Sequence, residues 1–112
     1  MSILNADYSS LNFDEMAASI GLKAKHIPML VGSFLDESNS IANSLEDAVN
    51  SNDFEAIKTH AHSIKGSAGN LKFNEIYEMA RDMELSAGDL KSDFDYSAHL
   101  KAIKEAIATI PS

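Results

Sequence analysis

The chain has 112 residues and no internal break in composition, which predicts a single compact domain over residues 1–112. It contains no cysteine, which excludes disulfides, thiolate metal sites and a cysteine nucleophile. The formal net charge of -8, from 17 acidic and 9 basic residues, disfavours binding to nucleic acid or to an anionic membrane surface.

The chain starts with Met1 to Asp7, which has neither the basic region nor the apolar run of a leader. No later stretch approaches the roughly 20 apolar residues that span a bilayer, so we expect a cytoplasmic protein. Ser10 or Asn12 can then cap a short helix over Phe13–Ile20, which Gly21 ends.

A long second helix is predicted from Lys25 to about Asn50, because its apolar residues recur at steps of three and four. Pro28 is compatible with this helix because it falls near the first turn. The predicted core-facing residues of this helix are Ile27, Leu30, Val31, Phe34, Leu35, Ile41, Leu45 and Val49.

Three more helices complete the pattern, at Phe54–Leu71, Asn74 to about Ala87, and Tyr96–Thr109. Gly88 is expected to end the fourth helix, and Ser92-Asp93 to cap the fifth. Short connections between amphipathic helices favour antiparallel neighbours. The sequence therefore predicts an all-α fold, an up-down antiparallel four-helix bundle with a short additional N-terminal helix. The apolar residues that support these three helices are Phe54, Ile57, Ala61, Ile64, Ala68, Leu71, Ile76, Met79, Ala80, Met83, Leu85, Leu100, Ile103, Ile107 and Ile110.

The third helix differs from the rest of the chain in charge. No acidic residue occurs between Ala56 and Asn74, whereas Lys58, Lys65 and Lys72 recur every seven residues. Residues seven apart lie along one side of a helix, so we predict a positive strip on an otherwise acidic molecule.

His62 is predicted to lie beside this strip, at the boundary between core and solvent. A helix turns by about 100° per residue, so His62 lies about 100° to one side of the core position Ala61. His60 lies about 100° to the other side, and the two rings therefore cannot bind one metal ion from a regular helix. Taken alone, a boundary histidine needs no chemical role.

Two glycines and a lysine on the same side give His62 a chemical context. Gly66 and Gly69 each cost about 1 kcal/mol relative to alanine in a helix interior. Their absence of side chains either lets another surface approach the ring or permits tight packing between helices. Lys65, one turn after His62, could hydrogen-bond a phosphoryl oxygen carried on the Nε2 atom of His62, or be an ordinary solvated lysine.

The segment His62-x-x-Lys65-Gly66-Ser67-Ala68, followed by Asn70-Leu71, resembles the signature of histidine-containing phosphotransfer (HPt) domains of multistep phosphorelays. Met83-Glu84 resembles the hydrophobic-acidic pair on the following helix of that family, and the likeness covers nearly the whole chain. Lys72 stands where the family usually has glycine, which is expected to alter the end of the third helix.

The resemblance implies that His62 accepts a phosphoryl group from an aspartyl phosphate on one receiver domain and passes it to another. Lys65 would be the cation that faces the phosphate, and Gly66 would leave room for the receiver. Ser67, Gly69, Lys58 and Glu84 are candidates for supporting roles. Glu84 in particular could orient the imidazole through Nδ1, or could be a solvated glutamate.

The implied partners are response-regulator receiver domains and a hybrid sensor histidine kinase. The chain would be a monomeric phosphoryl carrier without kinase activity of its own. It has no glycine-rich phosphate loop and no clustered carboxylates for Mg²⁺, so no cofactor is predicted and Mg²⁺ is expected on the receiver. An apolar patch near His62, around Phe34 and Ile41, could dock the receiver, although both residues also fit the core.

Two other classes of function stay open. A degenerate HPt scaffold could act as a helical adaptor that carries no phosphate, although the intact His62, Lys65 and Gly66 argue against it. An anion- or metal-binding bundle would have to use histidines that are scattered over three predicted helices. Those histidines are His26, His60, His62 and His99. The start at Met1 and the end at Pro111-Ser112 favour a stand-alone relay protein over a piece of a larger kinase.

Overall fold

The computed structural model describes residues 5–111, so the expectations drawn from Met1 and Ser112 lie outside the described residues. The described chain is helical and contains no strand. The helices are α1 (Phe13–Ile20), α2 (Ile27–Asn50), α3 (Phe54–Asn70), α4 (Asn74–Gly88) and α5 (Tyr96–Ala108), with a 3₁₀ turn at Ala24–His26 before α2.

Helices α2 to α5 form a bundle in which α3 packs on α2 and α4, and α5 packs on α4 and α2. The pair α3–α4 is the most extensive, and it is the pair that carries the candidate site. Helix α1 packs against the start of the bundle through α2 and the 3₁₀ turn. The predicted all-α bundle with a short N-terminal helix is confirmed. Its most deeply buried large side chains are Phe73, Ile27, Leu45, Ile57, Ile64, Ile76, Met79, Met83, Ile103 and Val31.

The segment before α1 is fixed to the far end of the chain and to α4. The hydroxyl of Tyr8 donates to Glu75 at 2.7 Å, and the backbone N–H of Tyr8 donates to the side-chain oxygen of Thr109 at 2.8 Å. Burial and the hydrogen bond to Glu75 raise the pKa of Tyr8 well above its ordinary value. The N-terminal segment therefore covers the end of the bundle where α4 begins and α5 stops.

Side-chain caps fix where three helices begin. Asn12 accepts hydrogen bonds from the N–H groups of Asp14 and Glu15, which confirms it as the cap of α1. Asp53 caps α3 in the same way. The cap of α5 is Asp95, which accepts from the N–H of Ala98. The prediction of Ser92-Asp93 for that role was wrong: the helix starts at Tyr96 as predicted, and the residue directly before it supplies the cap.

Four helices end in the same hydrogen-bonding pattern, but only one uses glycine for it. Gly21, Asn52, Lys72 and Leu90 all have a positive φ, between 54° and 74°. At each of these ends the following residue donates its N–H to the carbonyl five residues earlier, at 2.9–3.0 Å. Lys72 thus keeps the left-handed conformation for which glycine is best suited, and Gly88 is the last residue of α4 rather than its left-handed cap.

Leu90 is the least favourable of these residues, because it combines a φ of 55° with a side chain that is 69% exposed. We predict that Leu90→Gly raises the free energy of unfolding by about 0.5–1 kcal/mol, since it removes the left-handed strain and loses little packing. Urea unfolding followed by circular dichroism would measure this as a higher midpoint with an unchanged slope.

Leu85→Gly is the matched control. Leu85 is also exposed, at 52%, although the sequence pattern grouped it with the apolar residues of α4. It lies within that helix, so the same substitution should lower the free energy of unfolding by about 1 kcal/mol. A loss of stability in both variants would show that the conformation of Leu90 carries no strain.

Candidate functional site

His62 lies in the middle of α3 with its side chain 65% exposed. The residues beside it in the helix, Ala61 and Ile64, are fully buried in the core. The core therefore fixes the backbone that carries His62 while the ring faces solvent. This is the boundary position that the helical periodicity predicts.

The carboxylate of Glu84 on α4 binds two candidate site residues of α3. Its Oε2 atom lies 2.6 Å from Nδ1 of His62, and its Oε1 atom lies 2.7 Å from Nζ of Lys65. The neighbouring Met83 is fully buried, which fixes the register of Glu84 against α3. One carboxylate thus bridges a histidine and a lysine that are one helical turn apart.

Charge and hydrogen bonding favour the ionised form of Glu84. Its side chain is only 14% exposed, and this burial by itself would raise the pKa of the carboxyl group. Hydrogen bonds from Lys65 and His62, together with their charges, outweigh burial and lower the pKa of Glu84 below its ordinary value of 4.5. Glu84 is therefore a carboxylate at neutral pH and accepts from both partners.

A carboxylate at Nδ1 determines which nitrogen of the neutral ring carries the proton. Because a carboxylate can only accept, Nδ1 of His62 must donate and hold the hydrogen. The lone pair of the neutral ring then resides on Nε2. Within residues 5–111 no group hydrogen-bonds Nε2 of His62, and the side chain that contains it is largely exposed.

The two glycines near His62 have different surroundings. A Cβ atom built on Gly66 would have no neighbour within 4 Å, so the surface beside His62 is open there. A Cβ atom built on Gly69 would lie 3.3 Å from a ring carbon of Tyr77 on α4. Gly69 therefore permits close packing of α3 and α4, and Gly66 has no such role in the fold.

The remaining candidates of α3 contact other helices. The hydroxyl of Ser67 donates to Glu37 on α2 at 2.9 Å, which ties α3 to α2. Lys58 is exposed one turn before His62, and its aliphatic carbons lie beside Gly88 of α4. The partner of Ser67 was not predicted, because no pattern within one helix identifies an acceptor on another.

The predicted positive strip is not continuous. The ammonium of Lys65 is paired with Glu84, and that of Lys72 donates to the backbone carbonyl of Ser19 at 2.7 Å. Lys72 also follows the end of α3 with a left-handed backbone, so it does not extend the helical row of Lys58 and Lys65. The charges of Lys65 and Lys72 look isolated in the sequence, but a carboxylate of α4 and a backbone carbonyl of α1 compensate them.

Phe34 does not face a partner, because it is buried and its ring centroid lies 5.0 Å from that of Phe73. Ile41 is partly buried against the core.

The metal-binding hypothesis also finds no support, since the described residues contain no group of three or more His, Asp or Glu side chains that could hold a metal ion.

Comparison with known families agrees with this geometry. The family model of the Hpt domain matches residues 29–110, which span α2 to α5 and include the whole candidate site. The chain belongs to the Hpt domain family. HPt domains are phosphoryl carriers that work with receiver domains in phosphorelays, so the family places the chain in this class of signalling protein. No curated protein and no solved structure gives a significant match. Among the described residues of this HPt domain, none of the helices is long and apolar enough to cross a membrane.

Removing the charge of Glu84 should weaken the contact between α3 and α4. We predict that Glu84→Gln lowers the free energy of unfolding by about 1 kcal/mol at pH 7, because an amide cannot replace the carboxylate for both partners. The pKa of Glu84 is lowered in the folded state. This stabilisation is therefore present above pH 4.5 and is lost as the pH falls through the pKa that Glu84 has in the folded protein. Urea unfolding of both proteins across this range measures the difference.

Glu78→Gln serves as the control on the same helix. Glu78 and Arg81 form an exposed pair at 3.8 Å, which should contribute less than about 0.5 kcal/mol. If both variants lose the same stability, or if the effect of Glu84→Gln persists unchanged in acid, the carboxylate bridge does not stabilise the pair of helices.

Proposed function

We propose that His62 accepts a phosphoryl group from the aspartyl phosphate of one receiver domain and passes it to an aspartate of another. The observation that carries this proposal is the bond from Nδ1 of His62 to Glu84, with the rest of the ring exposed. A histidine that serves only as a boundary residue has no need of an oriented ring. The intact signature and the family match support the same conclusion.

The transfer needs only the groups that the two proteins bring together. The lone pair on Nε2 of His62 attacks phosphorus, the bond between phosphorus and the aspartyl oxygen breaks, and the receiver's carboxylate leaves with the electron pair. The imidazole becomes cationic as the new bond forms, while its Nδ1 proton stays in the hydrogen bond to Glu84. The negative carboxylate favours that cation. Attack by the second receiver's aspartate reverses these steps.

Lys65 is suited to compensate the charge of the transferred group. Its ammonium already lies beside the ring because it shares the carboxylate of Glu84 with Nδ1 of His62. The flexible lysine stem lets the ammonium turn toward phosphoryl oxygens on Nε2. In the free protein Glu84 holds this cation at the site, so little reorganisation is needed when the phosphoryl group arrives.

The other parts of the proposal follow from the family rather than from this site. We expect Mg²⁺ to be bound by the receiver and not by this chain. A hybrid sensor histidine kinase as donor, a monomeric state, a cytoplasmic location and the absence of kinase activity stay predictions. The helical adaptor is the competing function, and it is distinguished by whether phosphate ever resides on the protein.

The direct test is to mix the protein with a receiver domain that carries a labelled aspartyl phosphate. We predict that the wild type takes up label that is labile in acid and stable in base, as expected for a phosphohistidine. His62→Gln should take up none. His60→Gln is the matched control, because it removes a histidine two residues away on the same helix and should leave labelling unchanged.

Label on His62→Gln at the wild-type level would contradict the assignment of the carrier residue. Binding of the receiver without label on any of the three proteins would support the adaptor.

Substitution of Gly66 should separate stability from transfer. We predict that Gly66→Gln raises the free energy of unfolding by about 0.5–1 kcal/mol, because glutamine favours a helix and the added Cβ atom meets no neighbour. The same variant should accept phosphate from receivers at least tenfold more slowly, because the new side chain obstructs docking beside His62. Stopped-flow or quench-flow transfer assays measure the rate.

Phosphorylation by a small donor such as phosphoramidate is the control for this variant. It should be much less affected, since a small molecule needs no extended docking surface. Equal slowing with receivers and with the small donor would show that clearance for a receiver is the wrong explanation for Gly66.

A further inference from the structure

A concave surface between α4 and α5 is lined by none of the candidate site residues around His62. A pocket of about 650 Å³ is formed by the second half of α4, the 89–95 connection and the first turn of α5. This volume is in the range of pockets that accommodate a ligand or an anchoring side chain. The proposed phosphotransfer chemistry does not use it.

The lining of this pocket is strongly acidic. Asp82, Asp89, Asp93 and Asp95 contribute to it, and Lys91 is the one lysine or arginine among its described lining residues. Their potential acts on a neighbouring group: the pKa of the phenol of Tyr96 is raised by burial and then by the charges of Asp93 and Asp89. The pocket therefore favours a positively charged occupant.

His99 adds an acceptor that the fold leaves without a hydrogen-bond donor. His99 is only 7% exposed. Its Nδ1 atom donates to the backbone carbonyl of Asp95 at 3.1 Å, which makes Nε2 the acceptor of the neutral ring. Nε2 is buried and has no hydrogen-bond partner among the described residues. It points toward the carboxylate of Asp82, which also lines the pocket, across 3.9 Å. His99 therefore adds a buried acceptor without a donor to the wall that Asp82 and Asp95 also form.

Apolar residues extend the surface beyond the pocket. Leu85 lines it and is 52% exposed, and Leu90, between the pocket residues Asp89 and Lys91, is 69% exposed. Leu90 also has a left-handed backbone that a glycine would adopt with less strain. Leu85 and Leu90 therefore place exposed apolar area beside the acidic pocket, which apolar side chains of a partner could cover.

We infer that this corner of the bundle docks a partner protein through an arginine side chain flanked by apolar residues. The guanidinium would enter the acidic pocket, and the flanking residues would cover Leu85 and Leu90. A guanidinium fits better than a metal ion, because its five donors can reach acceptors that are spread over several residues. By contrast, no group of His, Asp and Glu within residues 5–111 is arranged to hold a metal ion.

The test uses nuclear magnetic resonance of the full chain with a short probe peptide, acetyl-Leu-Arg-Leu-amide. We expect it to shift the amide signals of the 89–95 connection and of His99, with a dissociation constant of about 1 mM. The matched peptide with citrulline in place of arginine has the same shape without the charge, and it should shift these signals little.

Two double variants locate the site. Asp89→Asn with Asp93→Asn should weaken binding of the arginine peptide about fivefold, and neither residue caps a helix with its side chain. Asp36→Asn with Asp47→Asn makes the same change of charge on exposed positions of α2 and should leave binding unchanged.

Three results would overturn the inference. These are equal shifts with the citrulline peptide, equal weakening by both double variants, and equal shifts of the same signals by Mg²⁺ at matched ionic strength. Because none of these measurements involves phosphate, they test the pocket whether or not His62 carries a phosphoryl group.

Discussion

The site depends on one carboxylate that belongs to a different helix from the residues it serves. Glu84 binds Nδ1 of His62 at 2.6 Å and Nζ of Lys65 at 2.7 Å. The first bond places the lone pair of the neutral ring on Nε2, and the second keeps a cation beside the ring. Since the carboxylate comes from α4 and its two partners from α3, the hydrogen bonding of His62 depends on the register between these helices.

The bundle sets that register through small and fully buried residues. Ala61 and Ala68 of α3 are completely buried, and Met83 precedes Glu84 in the core of α4. Gly69 lets the ring of Tyr77 approach α3 closely. Gly66 makes no comparable contact, so its cost to helix stability has no compensation within the fold. That contrast separates a glycine that packs helices from a glycine that leaves an open surface beside the exposed ring of His62.

The sequence predicted most of what is local to a helix. The 3.6-residue periodicity predicted the start and end of each helix to within two residues. It also correctly predicted that His62 lies at the boundary between core and solvent. Contacts between helices were harder to predict. From the sequence, Glu84 could either orient the imidazole of His62 or be a solvated glutamate. No pattern on α4 shows which of its side chains faces α3, so this choice stayed open. The predicted positive strip failed for the same reason: the groups that compensate Lys65 and Lys72 belong to other helices. The left-handed backbone of Leu90 was also not predicted, because a leucine occupies a position that favours glycine.

The role of Glu84 is tested by determining which nitrogen of His62 carries the phosphoryl group and which carries the proton. Phosphorus and nitrogen magnetic resonance of the ¹⁵N-labelled, receiver-phosphorylated protein reports both. We predict a bond from phosphorus to Nε2 of His62, with a proton on Nδ1 that stays hydrogen-bonded to Glu84. Phosphorus on Nδ1, or on any residue other than His62, would contradict it.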